Sequence, residues 1–230
     1  MSFWVPERVG GEEMLDGDVS AHEAEASLSD IEWVHRHLGG RLILRRRLVP
    51  LLERLAGGPG KGLSLLDLGC GSGHVGRDLV TAFGRHGGRL SVLGLDLKLA
   101  HARLAARGRV TAADALSLPF ADTSVDVVFS TLFLHHFTPE ELTRLLSESR
   151  RVARRAVIAF DLSRHLLAYG LISAIGPLAF RTRISTLDGQ VSVLSAYTRD
   201  EIAALAAPVL PGAAVKPAGP FVWQLVWRRP

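Results

Sequence analysis

The stretch LLDLGCGSGHVG, residues 65–76, restricts the fold of this chain more than any other feature. Four glycines fall within eight positions, directly after an apolar run. The run reads as a buried strand, and the residues that follow, HVGRDLVTAFGRHG, read as a helix. Glycine has no Cβ, so the bend between them can turn sharply and another group can approach its backbone. The free N–H groups at the helix start point towards that bend, where an anion is welcome.

The chain downstream repeats the pattern. RLSVLGLDL (89–97) is a second strand, LAHARLAARG (99–108) a helix, RVTAAD (109–114) a short third strand and VDVVFST (125–131) a fourth. TPEELTRLLSESRRVA carries Thr138 as N-cap and Pro139 at the first helical position, and RAVIAFDL (155–162) is a fifth strand. Strands that are apolar on both faces and alternate with helices imply a parallel sheet covered on two sides. AAVKPAG and PFVWQLVWRR are separated only by a Gly219-Pro220 turn, too close for a helical crossover, so they pair antiparallel at a sheet edge. Upstream, Leu28, Ile31, Val34 and Leu38 recur at helical spacing over 20–38, and a second helix is expected over 42–55. Residues 1–18 read as an irregular tail. The chain thus divides into a tail and helical lid (1–60) and an α/β domain (61–230) with an insertion at about 163–200.

At 230 residues and 47% hydrophobic, the chain can bury one sizeable core. Its acidic beginning lacks a secretory signal pattern, and a single cysteine, Cys70, suits a reducing cytoplasm. The longest apolar segment, LLAYGLISAIGPLAF (166–180), is too short to span a bilayer. The net charge of +4 comes almost wholly from arginine, since only Lys61, Lys98 and Lys216 are lysines. Arginine runs such as RRVARR read as solvated helix faces, which makes a nucleic-acid partner the weaker reading.

Gly71, Gly73 and Gly76 fit G-x-G-x-x-G, and Asp96 stands 20 residues after Gly76, as a dinucleotide site requires. Asp67 argues against it, because a carboxylate beside the bend repels a pyrophosphate but offsets a cation. Taken together, LDLGCGSG, GLDLK, AADALSLPF and VDVVFSTLFLHHF resemble the class I S-adenosylmethionine-dependent methyltransferases in order and spacing. The resemblance implies a Rossmann-like seven-stranded sheet, S-adenosylmethionine as cofactor and methyl transfer as activity. It further implies that Asp67, Gly69, Gly71 and Gly73 form the loop beside the methionine part. Asp96 would accept from the ribose hydroxyls, Leu97 pack on the adenine, Asp114 take the adenine amino group and the Ala115 N–H reach a ring nitrogen. Ser130, ending the fourth strand, would lie near the transferred methyl.

The acceptor is narrowed by what is missing. Ser130-Thr131-Leu132-Phe133 stands where methyltransferases of base amino groups carry Asn/Asp-Pro-Pro-aromatic, and Cys70 lies in the loop rather than where a cytosine-C5 nucleophile is needed. A hydrophobic small molecule remains. EEMLDGD and LDGQVSVLSAYTRDEI look like a bacterial subgroup associated with phenolic or polyketide products, and the quinone C-methyltransferases are similar at the core motifs. Oxygen methylation of a phenol requires removal of one proton, for which His135 and His136 are the candidate bases. No residues show metal-ligand spacing, so no metal is expected. The apolar run Leu166, Leu167, Tyr169, Leu171, Ile172, Ile175, Leu178 and Phe180 is expected to form a lid over the acceptor, with core packing or a peripheral membrane contact as alternatives. Trp33, His35, Arg36 and His37 of the first helix are placed near the acceptor if that helix closes over the site.

Overall fold

The computed structural model describes residues 4–11, 13–17, 19–58, 60–98 and 109–230. The helix expected over 99–108 lies outside them. Seven strands form one sheet: β1 (Gly62–Leu68), β2 (Arg89–Asp96), β3 (Arg109–Ala112), β4 (Val125–Thr131), β5 (Ala153–Leu162), β6 (Ala214–Gly219) and β7 (Val222–Arg228). Their order is β3-β2-β1-β4-β5-β7-β6. The first five run parallel, and β7 pairs antiparallel with both β5 and β6. The chain therefore works outward from β1 to β3, then returns to place β4 on the other side of β1. That reversal opens a crevice at the carboxyl ends of β1 and β4, where ligands of such sheets bind.

The pleat explains why the strands are apolar throughout. In β1, Leu66 and Leu68 enter one core and Leu63 and Leu65 the other. Val128 and Val127 of β4 divide in the same way, as do Val157 and Ile158 of β5. One face is covered by helices α5 (Pro139–Val152) and α8 (Arg199–Ala206), through Leu142, Leu145, Leu146 and Ile202. The other is covered by α3 (Val49–Ala56) and α4 (His74–Gly84), through Leu52, Leu79 and Phe83. Thr138 caps α5 in a reciprocal capping box with Glu141, as the Thr-Pro-Glu-Glu start predicts.

Before the sheet, α1 (Ala21–His37) begins on a second capping box, Ser20 with Glu23. The expected helix over 42–55 extends from 40 to 56 in three parts: α2 (Gly40–Ile43), a π-helical turn (Leu44–Leu48) and α3. Pro50, inside the first turn of α3, has no N–H with which to continue regular bonding, and the widened turn precedes it. After β5 come α6 (Leu166–Ala179) and α7 (Arg183–Ser195). The RRVARR run ties the molecule together. Arg151 donates to the Leu118 and Phe120 carbonyls and pairs with Glu148 and Asp122, while Arg154 and Arg155 both meet Asp126.

Two expectations change. Residues 4–11 and 13–17 form an anchored arm rather than a free irregular tail: Val9 N–H donates to the Leu194 carbonyl, Leu166 N–H to the Trp4 carbonyl, and Arg8 reaches the Ser195, His135 and Phe137 carbonyls. Asp188 in α7 receives the Met14 and Leu15 N–H groups. None of the eight apolar side chains expected over the acceptor lines the cavity in the crevice, whereas Ser192 of the same insertion does. Leu167, Leu171 and Ile175 are half exposed and Leu178 is 89% exposed.

Candidate active site

A cavity of about 470 Å³ fills the crevice at the strand ends. Across the sheet its wall runs from Asp114 and Ala115 after β3, through Asp96 and Leu97 at the end of β2, to the glycine bend after β1. It continues to Thr131–Phe133 and the two histidines after β4. Asp67, Gly69, Gly71, Asp96, Leu97, Asp114, Ala115, His135 and His136 all line it. Two of the candidates on and beside the sheet do not. Ser130 is buried within β4, and its neighbour Thr131 takes the wall position. Gly73 lies behind the bend, as the N-cap of α4 in the left-handed conformation at φ +69°.

The bend needs its glycines. Gly69 has φ +65°, and a Cβ there would stand 2.2 Å from the Phe133 ring. Gly71 has φ +50° and faces Leu28 of α1. Asp96 organises the bend, accepting the Gly71 N–H at 2.9 Å and the Lys98 N–H at 3.0 Å. Lys98 Nζ in turn donates to the Leu15 and Gly17 carbonyls, tying the arm to the cavity rim. Asp67 is fully enclosed beneath the bend. Burial, then the charge of Asp96, pushes its carboxyl up to about 7. Burial likewise pushes the Cys70 thiol up, so it is no nucleophile.

The two candidate bases have different surroundings. His135 is 4% exposed. Its Nδ1 lies 2.8 Å from Asp161 Oδ1 at the end of β5, its backbone N–H donates to Asp161 Oδ2, and its Nε2 lies 3.2 Å from Glu13 of the arm. Burial alone would lower the imidazole pKa, but the two carboxylates outweigh it and raise it to about 10. His135 is therefore an imidazolium at neutral pH and has no lone pair to accept a proton. The ring of His136 lies 4.5 Å from that of His135, centroid to centroid, with Nε2 3.9 Å from Glu13 Oε1. Ser192 of α7 also donates to Glu13. Glu13, Asp161 and Ser192 were not singled out from the sequence. They lie 122, 26 and 57 positions from His135, and the motifs EEMLDGD and LDGQVSVLSAYTRDEI contain Glu13 and Ser192 without distinguishing them.

Of the four candidates on α1, only His35 lines the cavity. Trp33 stacks on His37 at the surface, and Arg36 pairs with Glu32. His35 packs edge-on against His74, the first residue of α4, with ring centroids 5.0 Å apart. Burial lowers both imidazoles, His74 to about 3, so both are neutral.

The strand order and the glycine bend form the Rossmann-like sheet that the chain shares with solved methyltransferase structures. Residues 66–167 match the family model described as "Methyltransferase domain". Among known proteins, the chain is similar to a malonyl-[acyl-carrier protein] O-methyltransferase of Pectobacterium atrosepticum, 40% identical over 104 residues. That match covers 43% of this chain and only 38% of the relative. Among solved structures, the plantazolicin methyltransferase BpumL with bound S-adenosylhomocysteine superposes with a TM-score of 0.65 at 13% identity, covering 91% of each chain. The magnesium protoporphyrin IX methyltransferase ChlM of Synechocystis PCC 6803 superposes with a TM-score of 0.57 at 19% identity, over 94% of this chain and 90% of its own. At these identities the two structures speak for the fold. Among the described residues no helix is long and apolar enough to cross a membrane.

Proposed function

We propose that this chain transfers a methyl group from S-adenosylmethionine to a hydroxyl oxygen of a hydrophobic small molecule of phenolic or polyketide type. The observation that carries the reading is the continuity of the cavity. Polar groups suited to a nucleoside lie at its β2–β3 side, and apolar side chains, with His136 among them, at its β4–β5 side. The residues fit the cofactor. The glycine bend lets Phe133 and Leu28 pack directly on its backbone, Asp96 and Asp114 offer acceptors for hydroxyl and amino donors, and Leu97 offers an apolar face.

Bound there, S-adenosylmethionine supplies an electrophilic methyl whose leaving group is a neutral thioether and needs no acid. The protein's part is alignment, exclusion of water and removal of one proton. Asp67, whose carboxyl burial pushes up to about 7, would take up negative charge beneath the bend when a cation such as the sulfonium lies beside it. Leu28, Ile31, Phe133, Phe137 and Leu162 enclose the acceptor's apolar body. His136 takes the hydroxyl proton, and the His135–Asp161 pair behind it fixes the turn Leu134–His136 that presents it. The O-methyltransferase named among the relatives supports oxygen as the methylated atom.

The test is incubation of the full chain with S-adenosylmethionine and a panel of phenolic and quinone-precursor acceptors, followed by mass spectrometry. A methyl ether is the expected product. A ring methyl that leaves the hydroxyl free would reassign the enzyme to carbon methylation of a quinone precursor. Transfer to no acceptor would leave a nucleoside-binding protein without catalysis. Replacing His136 by Gln should lower kcat by about 100-fold with little change in cofactor affinity.

A further inference from the structure

Among the described residues, Glu13, His135 and His136 bring one carboxylate oxygen and two ring nitrogens within 4.8 Å of one another. His135 Nε2 lies 3.2 Å from Glu13 Oε1, and His136 Nε2 lies 3.9 Å from the same oxygen. An ion bound at about 2.0–2.2 Å by imidazole and carboxylate sets neighbouring ligand atoms roughly 3.4 Å apart. Small side-chain movements therefore bring all three atoms onto one ion. Spacing along the chain hides this arrangement. The adjacent histidines alone make no site, and the third ligand comes from the arm, 122 positions before His135.

The surroundings support the same reading. His135 Nδ1 lies 2.8 Å from Asp161 Oδ1, and its backbone N–H donates to Asp161 Oδ2 at 3.0 Å, which fixes the ring with Nε2 towards Glu13. A carboxylate behind a ligating imidazole orients it and makes it a better ligand. Ser192 holds Glu13 from α7 in the same way. Three protein ligands leave one position of a tetrahedral ion open. Glu13, His135 and His136 all line the cavity, so that position faces the crevice. Two imidazoles and one carboxylate suit zinc and its neighbouring divalent transition ions, whereas magnesium and calcium prefer oxygen ligands.

We propose that Glu13, His135 and His136 bind a divalent transition-metal ion of zinc type, with Asp161 as the residue that positions His135. Binding exchanges the proton on His135 Nε2, which leaves to solvent, for the ion. The ion also occupies the His136 lone pair, so the loaded chain loses that ring as a base. This last consequence rests on the proposed function above; the site itself does not.

The test measures zinc binding to the untagged, chelator-stripped full chain by competition with a chromogenic indicator, without cofactor or acceptor. One ion per chain is expected, and excess magnesium should not displace it. E13Q, H136Q and D161N should each weaken binding at least about 10-fold. H86Q, at the surface pair His86–Glu53, should leave it unchanged. Circular dichroism reports that each variant is folded. With cobalt as the ion, D161N should also shift the visible absorption of the loaded chain; an unshifted spectrum removes Asp161 from the site. No saturable binding, or undiminished affinity in E13Q and H136Q, overturns the site. With S-adenosylmethionine and an acceptor from the panel above, zinc should lower methyl transfer in proportion to occupancy. Undiminished transfer by the zinc-saturated chain overturns the competition with His136. If the stripped chain methylates no acceptor, the proposed function fails while zinc binding still tests the site.

Discussion

Asp67 and His135 are both buried ionisable groups, and their environments drive them in opposite directions. Asp67 is held protonated to about pH 7 by burial and by Asp96. A cationic ligand favours its charged form, a neutral one does not. The ratio of S-adenosylmethionine to S-adenosylhomocysteine affinity should therefore rise from pH 6 to pH 8, and D67N should flatten it. The same shift bears on folding. The native carboxyl binds a proton that the unfolded chain has released, so this group costs stability as pH rises from about 4 to 7. His135 has a raised pKa, so the stability it contributes is fully present below its ordinary pKa and is lost as pH rises through about 10. Removing it with H135A strands the Asp161 carboxylate at 1% exposure and should cost about 3–5 kcal/mol in a urea titration. From the sequence, His135 and His136 were equivalent. Their difference is set by Asp161 and Glu13, which reach them from distant parts of the chain, and no local pattern records such pairing.

At the scale of elements, the segments flanking the sheet were the hardest to place. An irregular stretch with three glycines reads as a tail, yet the described residues of 4–17 are fastened at Arg8, Glu13, Leu15 and Gly17. These bonds join arm backbone or side chains to groups elsewhere, and a sequence shows neither partner. K98A removes the tie between the β2 end and the arm, and limited proteolysis should then cut within 13–17 several-fold faster. An unchanged rate would show that Asp188 alone holds the turn. The α6 segment presents the reverse case. Its apolar content was legible, but not the direction its side chains take. Leu167, Leu171, Ile175 and Leu178 form an exposed stripe at helical spacing. L171E should change stability by less than about 1 kcal/mol and leave cofactor affinity unchanged. A several-fold rise in the acceptor KM would instead support a lid over the acceptor.

At the scale of the whole molecule, β1, β2, β4, β5 and the closing hairpin were legible because each obeys a simple rule: a continuous apolar run where both faces are covered, or a turn too short for a crossover. The cofactor side of the crevice was legible for a related reason. Its residues lie at strand ends, and strand ends follow directly from the pattern. Ser130 shows the limit of this, since one position along a strand exchanges the wall of the cavity for the core. The proposed acceptor side is assembled from the arm, α1, the turn after β4 and α7, and its composition emerges only from their packing. The central claim is that Asp96, Asp67 and the glycine bend hold S-adenosylmethionine. Calorimetric titration of the folded chain with that nucleoside tests it directly. Saturable binding at one site per chain, weakened at least about 10-fold by D96A, is the predicted result. Absence of any binding heat from either S-adenosylmethionine or its demethylated form, at several temperatures, would contradict it.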